Sequence, residues 1–243
     1  MTYLTRMPIN PARRGTRTLL ASPQSMHAAV LAAFPPQPEP VGDAARVLWR
    51  VDRDAEHDVI LYLCSPERPD LTHLVEQAGW PTTSSWQTRD YTPLLERLAA
   101  GQPWAFRLTA NPVRRVRDAK HPDRGAVRGH VTAAQQVEWL LTKAAGAGFT
   151  VATASDGEPA VTVAERVVKN FARQGATVTL ATARFDGVLH VSDEQLLRHT
   201  LVAGLGRAKS YGCGLLTLAS APVVSATETR DQATAESLSA SAG

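Results

Sequence analysis

Apolar and polar positions alternate over residues 2–9, with Tyr3 and Leu4 followed by Met7 and Ile9, and this predicts a strand. A basic connection carrying Arg13, Arg14 and Arg17 follows. Ser22-Pro23 then predicts a helix start, because serine caps well and proline suits the first helical position. Met26, Val30, Ala33 and Phe34 recur at helical spacing, and Pro35-Pro36 ends the run. Residues 45–52 and 58–64 read as two strands of a hairpin joined by the polar loop Arg53–His57. Asp70 predicts a cap for a short helix over Leu71–Ala78, which Gly79 ends, and residues 86–91 read as a weaker fourth strand. The order is β-α-β-β-α-β.

A second round of the same order starts after Gly101-Gln102-Pro103. Residues 104–110 alternate as a strand, and a basic loop with Asn111-Pro112 leads to a helix over 133–145, capped by Thr132, with Val137, Leu140 and Leu141 inward. Strands are expected near 149–154, 160–170 and 176–191. Asp193 caps a helix running to Ala203, and Leu215–Ala219 closes the sheet. The predicted class is α+β, with two tandem ferredoxin-like βαββαβ units and antiparallel sheets. The expected boundaries are 1–97 and 103–219. Residues 220–243, rich in Ala, Ser and Thr, are expected to be a disordered tail, because they have too little apolar surface to offset ordering entropy.

Composition narrows the class. The 243 residues contain no apolar run of 18, which excludes a membrane-spanning helix, and the first residues lack the apolar core of a secretory signal. Cys64 and Cys213 are too few for a cysteine metal site or a disulfide framework. A cytoplasmic protein is expected. The net charge is only +3, but 22 of the 26 basic residues are arginine, and residues 105–131 alone hold seven bases against two acids. Arginine pairs bidentately with phosphate, so this stretch is a candidate polyanion surface. A GC-rich genome would also favour arginine, and a solvated loop without a partner would look the same.

Among seven histidines, His27 stands out. It lies in the first two turns of a helix, about 100° from the buried face, where the helix end favours a nearby phosphate and disfavours an imidazolium. An imidazole there can move a proton to or from an oxygen. The segment Gly204–Gly214 has four glycines in eleven residues, with Arg207 and Lys209 between them. Its backbone can approach a ligand closely, although it lacks the pattern and the strand-to-helix setting of a P-loop. A helix-to-strand connection that needs positive φ explains the glycines equally well. No zinc-binding, paired-carboxylate or nucleophile-elbow motif is present, so no metal or cofactor is expected.

The chain resembles the CasE-type CRISPR-associated endoribonucleases of the RAMP superfamily. The resemblance is carried by Leu4-Thr5-Arg6 with Asn10-Pro11, by Ser22-Pro23-Gln24-Ser25-Met26-His27, by Leu48-Trp49-Arg50 and by Phe106–Pro112. It continues through Gly204–Lys209, Tyr211-Gly212 and Gly214-Leu215-Leu216. Each motif is short; their order and spacing over residues 4–219 are specific. The resemblance implies metal-independent cleavage of a CRISPR precursor RNA at the base of the repeat hairpin. The 2′-hydroxyl attacks the adjacent phosphate and leaves a 2′,3′-cyclic phosphate. It also implies that the enzyme stays on the mature crRNA and joins the other Cascade subunits. The family's catalytic histidine falls on His27.

Gln24 stands where some relatives have a tyrosine; it can orient a hydroxyl or phosphate but does not readily donate a proton as an acid. Lys209, Lys169 and Ser25 are the alternatives for a second catalytic group. The family's groove-entering basic hairpin is expected at Arg166, Lys169 and Arg173. The wider RNA-binding set adds Arg13, Arg14, Arg114, Arg115, Arg128 and Arg207, with Lys209. A non-catalytic hairpin-binding scaffold of the same superfamily and a small-molecule-binding ferredoxin-like protein are the competing readings.

Overall fold

The computed structural model describes residues 1–35, 46–81, 85–116, 126–173 and 176–221. The N-terminal half consists of β1 (Tyr3–Ile9), α1 (Arg14–Ala21), α2 (Pro23–Leu31), β2 (Leu48–Arg53), β3 (Val59–Ser65), α3 (Thr72–Ala78), β4 (Gln87–Asp90) and the short helix α4 (Thr92–Glu96). Its sheet runs β2-β3-β1-β4 with every neighbouring pair antiparallel, the arrangement that two interleaved βαβ units produce. The C-terminal half repeats the plan with β5 (Pro103–Ala110), β6 (Val113–Val116), β7 (Ala126–Gly129), α5 (Ala133–Ala145), β8 (Phe149–Val151), β9 (Val161–Arg173), β10 (Ala176–Val191), α6 (Glu194–Ala203) and β11 (Leu216–Ser220). This sheet runs β11-β5-β10-β8, and β9 also pairs with β10. The ribbon β6–β7 stands apart as its own two-stranded sheet.

The strands' two faces have different fates. Met7, Ile9, Trp49, Leu61 and Leu63 point to one side of the first sheet and form a core with Leu19, Met26, Val30 and Leu74 of the helices. Leu48 and Cys64, offset by one residue, belong instead to the core built by Phe106, Leu108, Leu140, Phe185 and Leu201 of the second half. The sheet face that helices leave bare is thus covered by the other half of the chain. Between the sheets lies Arg50, 2% exposed. It donates to both carboxylate oxygens of Asp52, to the carbonyls of Arg107 and Leu215, and to Thr217 Oγ1.

Local signals predicted the helix ends. Ser22 Oγ accepts from the Ser25 N–H, Thr132 and Gln135 form a capping box, and Asp193 accepts from the Gln195 and Leu196 N–H groups. The Asp70 carboxylate accepts from the Thr72 N–H at 3.0 Å. Three expectations are corrected. The basic connection with Arg13, Arg14 and Arg17 holds the helix α1, whose Thr16 and Leu19 are buried. It forms because α3 receives it: Thr16 Oγ1 donates to the Ala78 carbonyl, and a side chain at Gly15 would sit 2.4 Å from the Gln77 oxygen. The basic loop after β5 is a β-ribbon at its two ends. The expected strand 149–154 stops at Val151. The expected tail lies, beyond Ala221, outside the described residues. Among the described residues no helix is long and apolar enough to cross a membrane.

Candidate active site and nucleic-acid interface

The first two turns of α2 carry Gln24 and His27, both half-buried, beside the buried Pro23, Met26 and Val30. The helix packs against a single 3-10 turn, Lys209–Tyr211, inside the glycine-rich segment. That segment makes a tight excursion between α6 and β11. Gly204, Gly206, Gly212 and Gly214 all have φ between 79° and 90°, and Ala208 joins them at 62°. At Gly212 the reason is visible: a β-carbon would lie 2.7 Å from Trp49 Cζ3. The excursion is closed by Leu205 N–H to Gly214 O at 2.9 Å and Gly214 N–H to Thr109 O at 2.7 Å. The connection reading of these glycines therefore holds, and it also puts the turn that holds Lys209 against the helix that bears His27. The roughly 180 positions that separate the two motifs in sequence disappear in the fold.

A cleft of about 440 Å³ opens beside this corner, between the two sheets. Leu20, Pro23, Met26, Trp49 and Arg53 line it from the first half, and Glu165, Lys169, Thr182, Arg184 and Tyr211 from the second. Tyr211 is held by an edge-on contact with Phe171 at 4.9 Å. Lys169 reaches across the junction and donates from Nζ to the Leu20 carbonyl at 3.3 Å, near the end of α1. Burial holds its ammonium below the ordinary lysine range, and the nearby Arg53 guanidinium pushes it the same way.

Beneath the cleft runs an ion network. Arg107 donates from Nε to Asp186 at 2.5 Å and from Nη1 to Asp54 at 2.8 Å. Arg184 donates from Nε to Asp186 at 2.8 Å and from Nη1 to Glu165 at 2.6 Å. The hydrogen bond from Arg107 holds the Asp54 carboxyl below the usual range. Arg50, Asp52 and Asp54 come from the first half and Arg107, Glu165, Arg184 and Asp186 from the second, so the network ties the halves together. The pairs that cross between the halves were not readable beforehand, since Arg184 and Asp54 lie 130 positions apart.

The expected RNA-contacting residues fall into groups. In the ribbon, Arg114 and Arg128 stand directly opposite each other in the ladder and are exposed. Like charges paired across strands repel. Arg166 is exposed near the ribbon's root and donates to the Val131 carbonyl. Arg14 and Arg207 are exposed elsewhere. Arg13 is committed differently: its Nη1 donates to the Val75 and Glu76 carbonyls, at 3.2 and 2.6 Å, closing the last turn of α3. The side chains of Arg115 and Arg173 lie outside the described residues, as do Arg117, Lys120 and Arg124. Of these two hairpins, β9–β10 turns Lys169 toward α1, whereas β6–β7 exposes Arg114 and Arg128.

The model of a family described as "CRISPR associated protein" matches residues 2–220. The CRISPR-associated endoribonuclease Cse3 of Thermus thermophilus is 32% identical over 225 residues, which span 89% of this chain and 99% of the relative. The CRISPR system Cascade subunit CasE of Escherichia coli is 31% identical over 174 residues, 68% of this chain and 83% of the relative. The structure of Thermus thermophilus Cse3 bound to an RNA representing a pre-cleavage complex aligns with a TM-score of 0.71 at 27% identity, covering 90% of this chain and 98% of that one.

Proposed function

The chain belongs to the CRISPR-associated protein family, and from that premise we propose that it is the endoribonuclease that cuts CRISPR precursor RNA at the base of the repeat hairpin and then stays on the crRNA within Cascade. The observation that carries the site assignment is the packing of α2, with His27, on the turn that holds Lys209. In this reading residues 1–97 form the catalytic unit and 103–219 the hairpin-binding unit, and the enzyme works in the cytoplasm.

The chemistry follows from those groups. The 2′-oxygen attacks the adjacent phosphorus as the bond to the 5′-oxygen breaks, so the products are a 2′,3′-cyclic phosphate and a free 5′-hydroxyl. His27 takes the proton from the 2′-hydroxyl or gives one to the 5′-oxygen, a contribution of about 10²–10⁴-fold. Lys209 stabilises charge on the phosphate, and Gln24 orients the attacking or leaving group by hydrogen bonding. Positioning supplies much of the rest, since the cyclisation needs no metal-bound nucleophile, only in-line geometry. Exposed Arg114 and Arg128 on the ribbon, with Arg166 at its root, grip the hairpin's phosphates. Lys169 and Arg53 carry positive charge on the α1 side of the cleft.

Cleavage of a cognate repeat hairpin in EDTA, by wild type and His27→Ala, tests the reading, with binding followed in parallel. A single cut by wild type to a cyclic phosphate, and a variant that binds without cutting, is the expected result. A wild type that binds the hairpin and never cuts would establish the scaffold reading instead.

A further inference from the structure

Glu165 is out of place in a basic cleft. It lines the cavity together with Arg53, Lys169 and Arg184, and it adopts φ 47°, a backbone region that residues other than glycine rarely enter. The cause is a β-bulge. Val167 pairs with Thr182 and Ala164 with Arg184, so Glu165 and Arg166 together oppose the single residue Ala183. The bulge turns the Glu165 carboxylate onto Arg184, whose Nη1 donates to it at 2.6 Å. Arg184 is also engaged by Asp186 at 2.8 Å and lies 3.5 Å from Asp54. Over the whole network, four carboxylates (Asp52, Asp54, Asp186, Glu165) face three guanidiniums (Arg50, Arg107, Arg184). The network beneath the cleft therefore has one more acid than base, and Glu165 brings a carboxylate to a lining whose other charged residues, Arg53, Lys169 and Arg184, are basic.

We propose that Glu165, aimed by the bulge, is a specificity-determining residue: it occupies Arg184 and so keeps unstructured polyanions from settling along that wall of the cleft. The proposal rests on the RNA reading above. A single-stranded chain can thread a cleft wherever cations are free, because phosphate attraction is independent of sequence. A hairpin gripped from outside, through the β6–β7 ribbon, does not need Arg184. Discrimination is a difference between two affinities, and a carboxylate on the wall lowers the wrong one selectively.

The test measures binding of two probes from 50 to 300 mM salt, both fluorescently labelled. One is an oligouridylate of the hairpin's length, and the other is the repeat hairpin with a 2′-deoxy nucleotide at the cut. Wild type, Glu165→Gln and the double variant Glu165→Gln/Arg184→Gln are compared. Glu165→Gln should bind oligouridylate about three- to tenfold more tightly at low salt, with a salt slope steeper by about 0.7, the value for one added single-strand phosphate contact. Hairpin affinity should change less, and the double variant should return to wild-type affinity for oligouridylate. Glu165→Gly, which suits the positive φ, should behave like Glu165→Gln and guards against a folding defect. Unchanged oligouridylate binding in both single variants overturns the proposal, and so does equal tightening of both probes. A wild type that shows no preference for the hairpin overturns the RNA reading itself, a separate result.

Discussion

Replacing Arg50 with methionine should produce the largest loss of stability from any single polar substitution in the chain. Methionine roughly matches the aliphatic stem and removes the guanidinium. The arginine is 2% and Asp52 4% exposed, so water does not take over. Five hydrogen bonds between 2.6 and 2.9 Å vanish: two to Asp52, one each to the carbonyls of Arg107 and Leu215, and one to Thr217. Among the described residues, Asp52 keeps only the contact with Arg107 Nη1 at 3.4 Å. Breaking one side of a buried ion pair costs about 3–5 kcal/mol, because the remaining charge stays out of water. The two carbonyls that lose a donor add to this, Leu215's most, since Arg107's still accepts from Thr217 Oγ1 at 3.5 Å; a group left unpaired costs about 1–3 kcal/mol, but such terms overlap. A loss of about 4 kcal/mol is a large part of the about 5–15 kcal/mol that holds a typical protein together, and corresponds to a Tm lower by about 8–16 °C. Urea denaturation followed by tryptophan fluorescence and by far-UV circular dichroism measures it. Arg50→Met/Asp52→Leu should recover at least half of the loss, since no buried charge is left alone. A single variant that loses less than about 1 kcal/mol would refute the reasoning, by showing that Asp52 finds solvent or another partner.

Two further outcomes are expected. Arg114→Ala and Arg128→Ala should each weaken binding of the repeat hairpin and reduce its salt slope by about 1, as measured by anisotropy across a salt series, without unfolding the protein. Because burial lowers the Lys169 pKa, its positive charge is lost at lower pH than an ordinary lysine's. Affinity for a non-cleavable hairpin should therefore begin to fall on the alkaline side earlier in wild type than in Lys169→Arg, whose guanidinium stays charged.

Short-range physics made much of this protein legible before any coordinates. Ser22-Pro23, Thr132 with Gln135, and Asp193 act within three or four residues of themselves, so the starts of α2, α5 and α6 could be read directly. The alternation in Trp104–Ala110 states which face of β5 is buried, whatever covers it. His27, Lys209 and the glycine segment were visible as separate motifs for the same reason. Tertiary structure decided what lay between them. Helix α1 has few apolar residues of its own and packs where α3 accepts Thr16 and Gly15. The pairing of Arg114 with Arg128, the bulge at Glu165 and the reach of Lys169 to Leu20 depend on registers and crossings set far along the chain. Arg50 is the clearest case. Its surroundings in the sequence read as an ordinary strand, yet its acceptors include carbonyls 57 and 165 positions away. Periodicity reports which way a side chain points; only the closed fold supplies the partner that waits there, because burial and pairing are properties of the neighbours and not of the segment.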